Sequence, residues 1–132
     1  MKKKALMIGN TDNLPGVPTD ISSFYDFFAS PAGGNWCSEE LDILLDPPLH
    51  SLLQKIKTIA NAAYDFVITI FSGHGVEADD GTVLAINGRD EKVLMQTLMN
   101  HAPTVSACIS ALCSRLRPIC RNYYKVAELL FM

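Results

Sequence analysis

Apolar residues along this chain follow two alternating rhythms. Ala5-Leu6-Met7-Ile8-Gly9, Leu41-Asp42-Ile43-Leu44-Leu45 and Phe66-Val67-Ile68-Thr69-Ile70-Phe71 are short, nearly continuous apolar runs, as expected of strands covered by helices on both faces of a parallel sheet. Between them, apolar residues recur every three or four places. Ile21, Phe24, Tyr25, Phe27 and Phe28 make one face of a helix that Thr19 or Asp20 can cap, and Ser30-Pro31-Ala32-Gly33-Gly34-Asn35 closes it. Pro47-Pro48 break the second strand before a helix that carries Leu49, Leu52, Leu53, Ile56 and Ile59 on one side. The first half therefore reads strand, helix, strand, helix, and Asp65 to Phe71 is the third strand.

Beyond the third strand the pattern is more broken. Glu77 to Gly81 reads as an acidic loop, and Thr82-Val83-Leu84-Ala85-Ile86 followed by Asn87-Gly88 suggests a small hairpin excursion. Val93, Leu94, Leu98 and Met99 predict a helix over Glu91 to His101, Thr104 to Cys113 a fourth strand, and Asn122 to Met132 a last helix. The alternation argues for one α/β domain spanning residues 1–132.

Composition narrows the class. The 132 residues are 48% hydrophobic and 19% charged, which excludes a disordered or collagen-like chain. Eleven basic and fourteen acidic residues give a net charge of −3, without the basic stripe that a nucleic-acid partner calls for. Lys2-Lys3-Lys4 is the one basic run and reads as a solvated strand start. The apolar segment after it is too short for a signal peptide, so a cytoplasmic chain with reduced Cys37, Cys108, Cys113 and Cys120 is expected. No apolar run is long enough for a membrane span.

Candidate chemistry concentrates where strands end. Ligands and catalytic groups of a parallel sheet gather at its carboxyl edge. Three segments fall there: Asn10 to Asp20, Ser72-Gly73-His74-Gly75, and Cys113-Ser114-Arg115. A strand that runs into Gly-His-Gly brings an imidazole to the rim between residues whose backbones can approach substrate closely. With a cysteine at a neighbouring strand end, the imidazole can promote thiolate chemistry and backbone amides can hold an oxyanion, which suits a peptide-bond substrate. The cysteines and histidines lack the spacing of a zinc site.

These residues carry a family resemblance. Ile8-Gly9-Asn10, Leu14-Pro15-Gly16-Val17-Pro18-Thr19-Asp20, the Gly33-Gly34-Asn35-Trp36 turn and above all Ile70-Phe71-Ser72-Gly73-His74-Gly75 resemble the large-subunit (p20) portion of prokaryotic caspase-like peptidases, the metacaspases and orthocaspases of peptidase family C14. The likeness is clear over residues 1–101 and weak over 102–132. It implies a caspase-like three-layer sandwich, with a mostly parallel sheet of about four strands flanked by helices. It further implies a cysteine endopeptidase in which His74 assists a nucleophilic cysteine and the Gly75 amide helps form the oxyanion hole. Asp20 matches the metacaspase aspartate that lines the S1 pocket and selects Arg or Lys at P1. The same carboxylate has a second reading as a helix cap, compatible with the first. The basic residues with which a true caspase would hold an acidic P1 side chain are missing from this loop.

The chain also departs from the family. The nucleophile context reads Ser110-Ala111-Leu112-Cys113-Ser114-Arg115, with Ala111 where metacaspases carry a second S1 aspartate. Cys113 is the candidate nucleophile and Cys108 the competitor expected inside the strand. The family's small-subunit (p10) portion is not present, so the domain is expected to be incomplete. Its fourth strand should expose an apolar edge that a second copy of this chain or a separate p10-like chain could cover. Two functions remain open: a caspase-like endopeptidase, and an inactive caspase-like domain serving as a binding or scaffold module or needing that second chain. Some metacaspases require calcium, which takes six to eight oxygens, but Glu77, Asp79 and Asp80 without the rest of a ligand set read as a solvated turn, and no metal or other cofactor is predicted.

Overall fold

The continuous apolar runs become the centre of a sheet. A computed structural model describes residues 1–100 and the strand Cys108–Leu112, with side chains described through residue 98. In chain order the elements are β1 (Lys3–Gly9), α1 (Val17–Ala29), β2 (Leu41–Leu45), α2 (Leu49–Asn61), β3 (Phe66–Gly73), β4 (Gly75–Ala78), β5 (Gly81–Ala85), β6 (Lys92–Leu94), α3 (Met95–Asn100) and β7 (Cys108–Leu112). Strands β2, β1, β3 and β7 form, in that order, a four-stranded sheet whose pairings are all parallel. The fold is the caspase-like α/β sandwich that the sequence implies.

Alternation along each central strand divides the core into two layers. Leu6, Ile8, Val67 and Phe71 face Leu52, Ile56 and Ile59 of α2, joined by Leu84, Ile86, Val93 and Leu98. Ala5, Met7, Ile68 and Ile70 face Val17, Ile21 and Phe28 of α1, with Leu41 beside them. Trp36 closes that second layer between the rings of Phe28 and Phe66, at centroid distances of 5.1 and 6.1 Å. Phe28 is buried and Phe24 and Tyr25 pack partly against the core, but Phe27 is 43% exposed, so the aromatic face is narrower than the sequence suggests.

Several boundaries move, each for a local reason. Helix α1 begins at Val17, not near Ile21, because Pro18 fits a first turn where its missing N–H has no partner to lose. Gly16 holds the cap position with no side-chain bond, so neither Thr19 nor Asp20 caps the helix. Glu77 lies in β4 rather than in a loop. The reversal is confined to Asp79 and Asp80 before Gly81, whose φ of +122° suits glycine. Lys92–Leu94 form a strand because Val93 pairs with Leu84 and Leu94 with Val83, and this cross-strand burial outweighs the helical spacing that predicts a helix from Glu91. Strands β4, β5 and β6 thus make a separate antiparallel sheet. Lys4 is buried rather than solvated. Its ammonium donates to the Glu39 carbonyl at 2.9 Å and sits 2.9 Å from the Asp42 carboxylate, which Lys55 also approaches at 3.3 Å. Cys113, His101 and the expected C-terminal helix lie outside the described residues, as does the 104–107 part of the expected fourth strand.

Adjacent leucines test the α2 packing. Leu52 is fully buried and Leu53 is 41% exposed. Leu52→Ala should cost about 3 kcal/mol and Leu53→Ala less than about 1 kcal/mol, read from urea unfolding.

Candidate active site

The carboxyl edge of the parallel sheet is assembled from chain ends that the sheet register fixes. Gly9 pairs with both Leu45 and Ser72, and Gly73 pairs with Leu112, so β1, β2, β3 and β7 finish at one level. Each loop leaving that level is tied by side chains to backbone groups the ladder no longer serves. Asp46, at φ +49°, accepts from the Thr11 amide at 2.8 Å and the Thr11 hydroxyl at 2.5 Å, joining the loop after β1 to the loop after β2. Asn87 is 4% exposed and donates to the Pro47 carbonyl at 2.8 Å and to Glu91 at 3.0 Å. Glu91 in turn accepts from the Leu49 amide at 3.3 Å, placing its negative charge at the N-terminus of α2, where the helix dipole favours it.

His74 stands between the two sheets. It is the single residue separating Gly73, the end of β3, from Gly75, the start of β4, and it is half-buried. Its carbonyl accepts from the Ala85 amide at 3.0 Å. No hydrogen bond to the imidazole occurs among the described residues. Glycine precedes it because a Cβ on Gly73 would lie 2.8 Å from Cζ of Phe71 and 3.0 Å from Cβ of Asn10.

Asp20 reaches this rim from α1. Its Oδ2 accepts from the Ser72 hydroxyl at 3.1 Å, two residues before His74. The cap reading of Asp20 is thereby replaced: the carboxylate is exposed, turned toward the sheet edge, and held from β3. A fixed anionic oxygen at a strand end can receive a cationic group of a ligand.

The cysteines divide by register. Cys108 pairs with Thr69 inside the sheet, while β7 ends at Leu112 and Cys113 lies outside the described residues. Cys37 is exposed at the start of the Ser38–Glu40 turn, before β2 and therefore at the amino end of the sheet, away from His74. Desolvation, followed by hydrogen bonds to Glu40 and Glu39, pushes its thiol pKa up, which is the opposite of activation. Among the described residues no group of histidine, cysteine and carboxylate side chains is arranged to hold a metal ion. Glu77 instead accepts from the Thr82 hydroxyl at 3.1 Å within the hairpin.

Sequence reasoning missed Asn10, which is 1% exposed. Its amide donates to the Ser72 carbonyl at 2.9 Å, its Nδ2 to the Ala85 carbonyl at 2.8 Å, and its Oδ1 accepts from the Asp12 amide at 3.0 Å. The signal available was an amide side chain placed directly after a fully apolar strand, where a buried polar group must find partners.

A parallel sheet with its helices on both faces and a Ser-Gly-His-Gly turn at the carboxyl edge defines a caspase-type α/β domain. The family model for the caspase domain of Peptidase C14 matches residues 2–115, and the chain belongs to that family. A search of curated proteins found no match. No helix among the described residues is long and apolar enough to cross a membrane.

Crowding at Gly73 gives a direct test of how tightly the rim is packed. Gly73→Ala should lower stability by about 1–3 kcal/mol in urea unfolding, because both Phe71 and Asn10 must move.

Proposed function

We propose that this chain is a cysteine endopeptidase of the metacaspase or orthocaspase kind that cleaves peptide bonds after Arg or Lys. Its general base is His74 and its nucleophile Cys113. The observation that carries this reading is the pairing of Gly73 with Leu112. In the sequence His74 follows Gly73 and Cys113 follows Leu112, and neighbouring strands run about 4.8 Å apart. The same register sets Cys108 against Thr69, four residues before Leu112 and about 13 Å along the strand, which speaks against Cys108.

In the reaction the Cys113 thiol gives its proton to His74, and the sulfur attacks the scissile carbonyl carbon. The carbonyl oxygen becomes an oxyanion that the Gly75 N–H stabilises. Collapse breaks the C–N bond, and the imidazolium returns the proton to the leaving amine. Water, deprotonated by His74, then hydrolyses the thioester and restores the thiol. Asp20, held by Ser72, supplies the charge that selects a guanidinium or ammonium at P1. Ala111 leaves the site with one acidic contribution where metacaspases have two. A free thiol nucleophile suits the reducing cytoplasm.

A second chain belongs to this proposal. Among the described residues β7 has one neighbour, β3. Its other edge, which no described strand pairs, is the one we propose a second copy of this chain or a separate p10-like chain covers.

Labelling with a peptidyl-Arg acyloxymethyl ketone, read by intact mass and peptide mapping, tests the reading. One adduct on Cys113 is expected, lost in His74→Ala and retained in Cys108→Ala. Asp20→Ala should reduce the preference for Arg over an uncharged P1 residue at least tenfold, in keeping with loss of a charge-assisted contact. A folded chain whose thiols react with iodoacetamide but never with the peptidyl probe would be a caspase-like scaffold without catalysis of its own.

A further inference from the structure

The half-buried His74 has no side-chain partner among the described residues, yet one buried residue, Asn10, bonds to the chain on both sides of it, to Ser72 through its backbone amide and to Ala85 through its carboxamide. The Asn10 amide holds the Ser72 carbonyl, extending the β1–β3 ladder by one step beyond the Gly9–Ser72 pair. The Asn10 carboxamide holds the Ala85 carbonyl at 2.8 Å, and the Ala85 amide holds the His74 carbonyl at 3.0 Å. Hydrogen bonds and backbone thus close a ring through Asn10, Ser72, Gly73, His74 and Ala85.

Peptide planarity carries this ring to the chemistry. The His74 carbonyl and the Gly75 N–H belong to one peptide unit, which is trans like every other described here, so they point in opposite directions. Fixing the carbonyl toward Ala85 of β5 therefore aims the Gly75 N–H away from β5. The pairing of Gly75 with Leu84 agrees: with the Ala85-to-His74 bond beside it, this is the wide position of an antiparallel ladder, where both backbone groups of Gly75 face away from the partner strand.

We propose that Asn10 is a positioning residue that, through Ala85, sets the plane of the His74–Gly75 peptide. It thereby fixes both the seat of the imidazole and the direction of the oxyanion-binding N–H. This rests on the endopeptidase reading above and deepens it. Asn10 touches no substrate atom. It acts on an interaction made in the transition state, so its loss lowers kcat and leaves KM nearly unchanged.

Asn10→Asp isolates the effect. The aspartate keeps the shape and an oxygen for the Asp12 amide, but it cannot donate to the Ala85 carbonyl. Removing an oxyanion donor outright costs on the order of a hundredfold or more in kcat, so mis-aiming one should cost about tenfold. With a peptidyl-Arg substrate we expect kcat to fall about tenfold, KM to change less than about twofold, and affinity for a peptidyl-Arg aldehyde, whose hemithioacetal oxyanion needs the same N–H, to fall in parallel with kcat/KM. Thr11→Val serves as the structural control. It removes the hydroxyl bond to Asp46 in the same loop, so it should lower stability and leave kcat unchanged.

Amide hydrogen exchange gives a readout that needs no turnover: Ala85 should lose protection in Asn10→Asp while Ile70 of β3 keeps it. Unchanged protection at Ala85 overturns the proposal whether or not the chain cleaves peptides. Equal loss of kcat in Asn10→Asp and Thr11→Val overturns it as well, since a general loosening would then suffice. If the native chain cleaves no peptidyl-Arg substrate, the endopeptidase reading fails, and the catalytic role of Asn10 fails with it.

Discussion

The parallel pairing of β1 with β3 is the constraint on which everything else rests. Seven consecutive residue pairs, from Lys3 with Phe66 to Gly9 with Ser72, lock the two strands along their shared length. Both are buried on both faces, so a slip by one residue would turn Leu6 and Ile8 toward α1 and Ala5 and Met7 toward α2, overfilling the α1 layer and underfilling the α2 layer. Because parallel strands all point one way, fixing this register also fixes which residues emerge together. Asn10, Asp46 and His74 reach the same rim for that reason and not through any attraction among themselves.

Emergence at the rim creates a shortage of hydrogen-bond partners. Carbonyls and amides that leave a ladder in a half-buried place must be met by something. This chain meets them with short polar side chains: Asn10 for Ala85, Asp46 for Thr11, Asn87 for Pro47 and Glu91 for Leu49. Of these, the Asn10 bond lies beside the main chain of His74, while the other three tie the loops around it.

The amino end of the sheet is built on different physics. Lys4 and Lys55 converge on Asp42, whose Oδ2 is held by two positive charges without a well-aligned hydrogen bond. Lys2 and Lys3 lie over the rings of Tyr64 and Trp36, at 4.8 and 4.5 Å from the centroids. Lys2 and Lys3 cover aromatic surface with their stems and keep charge at the perimeter, while buried Lys4 turns its charge inward to Asp42. Opposite ends of one sheet thus serve opposite needs, closure at one and presentation at the other.

What the sequence by itself determined is the part governed by local periodicity and by backbone chemistry. Continuous apolar runs specified β1, β2 and β3; three-and-four spacing specified α1 and α2; and the Ser-Gly-His-Gly turn marked the strand end that presents His74. Local signals failed where a long-range partner decided the outcome. Residues Lys92–Leu94 satisfy a helical pattern and are nonetheless a strand, since β5 offers Val93 a buried pairing with Leu84 that no isolated helix could match. Asp20 satisfies the chemistry of a helix cap, yet Pro18 starts the helix earlier and Ser72, fifty-two residues away, takes the carboxylate. Asn10 looks like an ordinary turn former and becomes the clasp between two sheets, because only the folded chain brings Ala85 within 2.8 Å of its carboxamide. Periodicity fixes which face of an element is apolar, while the partner of a buried polar group is fixed only when distant segments meet.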